Sequence, residues 1–237
     1  MPTLEPAADR SNLSNSSDIP TPRRELTTLI VDWGGVLTGP LATTIEAWAE
    51  QDQVDLVAYF GLIDEWLAPE YAEIARINPI HALETGQLAV PDFEQKLAAA
   101  MQARTGHPFD GDGVVARMFG MFQHAPDMNG LVYRARSAGL RTALLSNSWG
   151  NDYPRDGWDD MFDVAVISHE VGLRKPDANI YTHTCELLGV RPDECVFVDD
   201  LHTNIHAAVQ LGMVGVHHIS YADTLSQLQI LFNLDLH

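Results

Sequence analysis

The pattern of apolar and polar positions changes twice along this chain. Leu26–Val31 is an apolar-rich run that stops at one acid, Asp32, and then at Gly34-Gly35. A short run of this kind predicts a buried strand, and the glycines mark a sharp loop at its C-terminal end. From Pro40 to about Ala125 the spacing turns helical. Leu56, Tyr59, Phe60, Ile63, Trp66 and Leu67 recur at helix intervals after Asp55, and Phe93, Leu97, Ala100 and Met101 do so behind Pro91-Asp92. No alternating strand pattern interrupts them, so 41–125 reads as an all-helical insertion.

From Met128 helices and strands alternate. The expected strands are Arg141–Leu145, Asp163–Ile167, Cys195–Val198 and Val214–Ile219. The expected helices are Met128–Ala138, Asn179–Leu188, Thr203–Leu211 and Asp223–Phe232, the first three closed by Gly139, Gly189 and Gly212. Such alternation predicts a parallel sheet covered by helices on both faces. The fold class is therefore α/β: a doubly wound, Rossmann-like core from 26–40 and 126–237, with a helical cap inserted at 41–125. Residues 1–25 are rich in Pro, Ser, Asn and Asp and read as a flexible tail without the apolar segment of a secretory signal.

Charge narrows the partners. The formal net charge of −19 opposes binding to nucleic acid, whose phosphates need a basic footprint. No apolar run approaches the roughly 18 residues of a membrane span. Cys185 and Cys195 have neither metal-site nor disulfide-framework spacing, so free thiols in a reducing cytoplasm are expected. Nothing in the pattern specifies an oligomeric state.

Four stretches end strands or follow them closely, and each is weak alone. Asp32 could be a turn acid, Ser146-Asn147 in LLSNSW a common turn, Lys175 in VGLRKPDANIY a solvated loop residue, and Asp199-Asp200 in VFVDDLHTN a helix cap. In a parallel sheet, however, all four fall at the C-terminal edge, where ligands bind. A carboxylate, a hydroxyl, an ammonium and a carboxylate pair at one edge suit phosphoryl transfer. Asp32 and Asp200 would share Mg²⁺, which takes oxygen ligands and offsets their repulsion of an incoming phosphate. Lys175 and Ser146 would hold phosphoryl oxygens. Asp32 would attack phosphorus to give an aspartyl-phosphate that water hydrolyses.

At these residues the chain resembles the haloacid dehalogenase (HAD) superfamily of hydrolases. Asp32 matches its first motif, Ser146 its second, Lys175 its third, and Asp199-Asp200 with Asn204 its fourth. The likeness is strongest to the N-terminal phosphatase domain of soluble epoxide hydrolases and to the glucose-1-phosphate phosphatase type, which share the Asn at 147 and the VGxxKPxxxIY-like stretch. It spans essentially Leu26–His218. It implies catalytic roles for Asp32, Ser146, Asn147 and Lys175, metal ligation by Asp32, Asp200 and the main chain of Gly34, and support from Asp199 and Asn204.

One position departs from that pattern. Most phosphatases of the superfamily carry a second Asp two residues after the nucleophile, as general acid and base. Here it is Gly34. General acid–base catalysis is typically worth about 10²–10⁴-fold, so the loss weighs least for leaving groups that need little protonation, such as sugar 1-phosphates or acyl phosphates. His202, Asp152 and Glu170 are the nearby substitutes. Metal-free dehalogenases also lack this Asp but have little use for the acidic pair. A phosphonate-cleaving relative would need a cap lysine, and Lys96 is the only one. A silent domain binding a phosphorylated ligand or a protein partner is the alternative from another class. The cap segment holds 13 acids and 4 basic residues, which favours a small monophosphorylated metabolite, such as a sugar phosphate, over polyphosphates.

Overall fold

The structure, a computed structural model, describes residues 25–68 and 77–237. The expected tail at 1–25 lies, but for its last residue, outside the described residues.

Five parallel strands form one sheet: β1 (Thr28–Val31), β2 (Arg141–Ser146), β3 (Val164–Ile167), β4 (Cys195–Asp199) and β5 (Val214–His217). Their order is β3-β2-β1-β4-β5, with Val31 opposite Leu144 on one side and Val198 on the other. The chain winds outward in both directions from β1, so the crevice of this sheet opens at the C-terminal end of β1 and its neighbours.

The strands are apolar on both sides because both faces are covered. Leu29 and Val31 of β1, Leu144 of β2 and Val196 and Val198 of β4 enter one core layer. There they meet α6 (Pro126–Ser137) and α11 (Tyr221–Phe232). Ile30, Ala143, Leu145 and Phe197 point the other way, toward α9 (Ala178–Leu188) and α10 (His202–Gln210). The sequence placed β5 as far as Ile219. The strand instead stops at His217, and Ile219 is 74% exposed beyond the sheet edge.

Between β1 and α6 lie α1 (Leu41–Asp52), α2 (Leu56–Leu67), α3 (Pro79–Glu84), α4 (Val90–Thr105) and α5 (Val114–Phe119). They form a helical cap around a separate core that includes Trp48, Tyr59, Trp66, Phe93, Leu97 and Met118. Asp55 caps α2 by accepting from the Ala58 N–H, and Asn78 caps α3 through the N–H groups of Ile80 and His81. The two crossings between layers run antiparallel side by side. Thr38 bridges His124, the Gly39 N–H donates to the Gln123 carbonyl, and the Ala125 N–H donates to the Leu37 carbonyl. Two one-turn helices follow β2 and β3, α7 (Trp158–Met161) and α8 (Ser168–Val171), with a 3₁₀ turn at Pro192–Glu194. No helix of the described residues is long and apolar enough to cross a membrane.

Candidate active site

The ladder between β1 and β4 runs one residue past β1, since the Asp32 N–H donates to the Val198 carbonyl at 2.9 Å. That fixes Asp32 beside Asp199 at the strand ends. Asp32 Oδ1 accepts from its neighbour's N–H (Trp33, 2.7 Å) and lies 2.8 Å from Lys175 Nζ. Lys175 Nζ reaches the other way to Asp199 Oδ2 at 2.7 Å. The ammonium is 1% exposed and bridges carboxylates from two strands.

Asp199 is fully used in that role. Its Oδ1 accepts from the Leu201 N–H and from Asn204 Nδ2, so both carboxylate oxygens are tied. Asp200 points its carboxylate toward Gly35. A Cβ on Gly35 would lie 2.3 Å from Asp200 Oδ2, and Gly35 has φ +74°, so both space and backbone demand glycine there. The main chain of Asp200 is held by His217 Nε2, 2.9 Å from its carbonyl.

Ser146 ends β2, and its Oγ shares a 3.0 Å hydrogen bond with the Tyr153 hydroxyl. Asn147 clamps the Lys175 segment: its Oδ1 accepts the Lys175 N–H at 2.8 Å and its Nδ2 donates to the Lys175 carbonyl at 3.0 Å. The cap joins through Glu84 of α3. Its carboxylate pairs with Arg174 Nε at 2.5 Å, and its carbonyl accepts from Ser168 Oγ at 2.7 Å.

Three carboxylates against one ammonium leave the cluster short of positive charge. Burial pushes Asp32 up to about 7; Lys175 opposes this and the adjacent Asp199 charge reinforces it. Burial, followed by the Asp199 charge, also raises Asp200. Burial alone would favour neutral Lys175, but Asp199 and Asp32 hold its ammonium above the usual range. Asp32, Asp199 and Asp200 each offer an oxygen within 4.8 Å of the others. An all-oxygen anionic donor set is the kind a hard ion such as Mg²⁺ takes. The residues present fit the metal.

Asp32, Gly34, Asn147, Lys175 and Asp200 line the floor of a cavity of about 430 Å³ roofed by the cap. Trp33 and Trp149 line it as well. A neighbouring cavity of about 480 Å³, lined by Gly35 among others, shares Asp200 but reaches neither Asp32 nor Lys175. The structure therefore brings together Asp32, Gly34, Asn147, Lys175, Asp200 and Asn204 around one space, with Asp199 and Ser146 beneath. The substitutes considered for the missing acid lie elsewhere. His202 stacks on His217, Glu170 pairs with Arg155, and Asp152 lines a different cavity. Lys96 is exposed on α4. Sequence reasoning did not find Tyr153, Glu84 or Arg174. Arg174 carried a signal in its place beside Lys175; Glu84 carried none.

The chain matches the model of the haloacid dehalogenase-like hydrolases over residues 26–212. It is 24% identical over 221 residues to acyl-CoA dehydrogenase family member 10 of Mus musculus, covering 90% of this chain and 20% of that protein. It is 29% identical over 127 residues to bifunctional epoxide hydrolase 2 of Mus musculus, covering 48% and 23%. The chain thus spans about a fifth to a quarter of the curated relatives it matches first. With glyceraldehyde 3-phosphate phosphatase of Methanopyrus kandleri the identity is 27% over 187 residues, 65% of this chain and 80% of that one. A HAD family enzyme from Bacteroides thetaiotaomicron, crystallised with magnesium and inorganic phosphate, has the same fold. Its TM-score is 0.57 at 20% identity, over 82% of this chain and 94% of that one.

Proposed function

The chain belongs to the haloacid dehalogenase-like hydrolases, and from that premise we propose that it is a Mg²⁺-dependent phosphatase of small monophosphate esters. The observation that carries this reading is Lys175 Nζ bridging Asp32 and Asp199 at 2.8 and 2.7 Å beside Asp200 on the cavity floor. A relative whose name denotes a phosphatase, and a neighbour holding magnesium with phosphate, point the same way.

Asp32, Asp200 and the Gly34 main chain would hold Mg²⁺, which when bound neutralises the carboxylates and draws charge from a phosphoryl oxygen. An Asp32 oxygen attacks phosphorus; the bond from phosphorus to the leaving oxygen breaks, and its electron pair departs with that oxygen. Water then attacks the aspartyl-phosphate, releasing inorganic phosphate and restoring Asp32. Lys175 favours the ionised form of Asp32 against the pull of burial and steadies charge on the phosphoryl group. Asn147 and Asp199 position Lys175, and Ser146, buttressed by Tyr153, donates to a phosphoryl oxygen.

Gly34 supplies no acid, so leaving groups stable as anions are favoured. The acidic cap disfavours polyphosphates. The acidic pair, with no role in metal-free halide displacement, weighs against a dehalogenase. Gly34 also sustains a second reading, a silent domain that binds a phosphorylated ligand. The test is phosphate release from acetyl phosphate and p-nitrophenyl phosphate with Mg²⁺. Turnover that vanishes in Asp32→Asn and with chelator supports the enzyme; none in the wild type favours the binder, and halide release without metal favours the dehalogenase.

A further inference from the structure

The floor and the walls of the Asp32 cavity differ in chemistry. Charge and hydrogen-bonding groups lie on the floor. The cap contributes Ile45, Tyr59, Ile63, Ile80, Met118 and Phe119. Among the described residues its single polar side chain there besides Tyr59 is Glu84, already paired with Arg174. The Tyr59 hydroxyl is buried and turned to Met118 Sδ at 3.9 Å. A polyol bound against this wall would lose its water and gain almost no partners, which costs free energy for each hydroxyl buried.

The apolar surface does not end inside. Leu41, Phe60, Leu67 and Leu201 line the same cavity and are 40%, 42%, 45% and 48% exposed. Four of the large hydrophobic side chains that face solvent on this protein thus form one rim, at the mouth of one pocket. Isolated exposed apolar residues are ordinary; a contiguous set bordering a binding cavity marks a surface that something apolar covers.

We infer that the substrate is an apolar monophosphate ester, with its phosphoryl group on the Asp32–Lys175 floor and its hydrocarbon against the cap wall and out over this rim. This rests on the phosphatase reading for the floor alone; the wall is an independent observation. It differs from the sugar phosphate that the sequence suggested, and the two are separated by the experiment below.

The experiment uses 4-alkylphenyl phosphates with methyl to heptyl tails, a series in which the leaving oxygen hardly changes and only buried hydrocarbon grows. In parallel, the non-hydrolysable alkylphosphonates of the same lengths are titrated by tryptophan fluorescence, with Trp149 in the wall as reporter. In the expected result kcat/KM and affinity both rise with tail length, by up to about fourfold per methylene, and exceed the values for glycerol and glucose phosphates. Leu67→Asp lowers the gain per methylene. Turnover that is flat along the series, or best with the polyol phosphates, overturns the inference and leaves the phosphatase standing. No turnover with tightening phosphonate affinity removes the phosphatase and supports the apolar site. Neither turnover nor tightening removes both.

Discussion

Two adjacent glycines should respond to substitution in opposite ways. A Cβ built on Gly34 meets only Phe122 Cε1, at 3.8 Å, an ordinary van der Waals contact. A Cβ on Gly35 lies 2.3 Å from Asp200 Oδ2 and 2.8 Å from its Cγ, on a backbone with φ +74°. Gly34→Asp is therefore accommodated and restores a carboxyl group where relatives carry their general acid. For an alkyl phosphate, whose alkoxide must be protonated as it leaves, the expected gain in kcat/KM is about 10²–10⁴-fold. That is roughly 3–5 kcal/mol off the barrier. For p-nitrophenyl phosphate, whose phenolate leaves without help, the same substitution should change little. Gly34→Ala serves as the control that adds a Cβ and no acid. Gly35→Ala should instead displace Asp200, abolish Mg²⁺-dependent turnover and cost about 1 kcal/mol or more of stability through the left-handed backbone. Steady-state kinetics on the two esters at saturating Mg²⁺, with thermal melts of each variant, make the measurement. A folded Gly34→Asp protein that treats both esters alike, or an active Gly35→Ala protein, would refute the reasoning.

Two further outcomes follow from the charge cluster. In the metal-free protein Asp32 is raised from 3.8 to about 7, so between about pH 4 and 7 the folded state binds a proton that the unfolded chain has lost. Stability from this group then falls as pH rises through that window, and a divalent cation restores it. Mg²⁺ should raise the Tm more at pH 8 than at pH 5, and equal increments would contradict this. Lys175→Met leaves Asp32 and Asp199 buried without their shared cation and should cost about 3–5 kcal/mol in urea unfolding. Adding Asp199→Asn should recover part of it, and a single-variant loss below about 1 kcal/mol would count against the bridge.

The sheet and its ligand edge were legible because the two central strands β1 and β4 announce themselves twice. β1 and β4 are apolar runs buried on both faces, and each breaks at an acid, so strand identity and ligand edge could be read together. Lys175 was legible from its loop before α9. What the sequence hid depends on contacts between distant segments. Glu84 meets Arg174 across 90 residues, and its sequence neighbourhood on a six-residue helix looks like any cap surface. Tyr153 sits in an irregular loop, with no periodicity to aim it at Ser146. Of the cap helices, α3 and α5 have six residues each, too few for an apolar repeat to declare itself. The apolar pocket was missed for a related reason. Ile45, Ile63 and Met118 satisfy helix packing and cavity lining by the same spacing, and only the assembled cap distinguishes the two.

The paired crossing at Thr38 and His124 has a consequence for how such a chain diversifies. Because Gly39 and Gln123 are hydrogen-bonded neighbours, the insert leaves and re-enters through one doorway, and its two ends are already closed upon each other. Lengthening what lies beyond changes the entropy of that closed loop only slowly with size. The roof can thus be rebuilt for a different guest while the strands carrying Asp32 and Asp200 keep their register, which decouples the choice of molecule from the reaction performed on it.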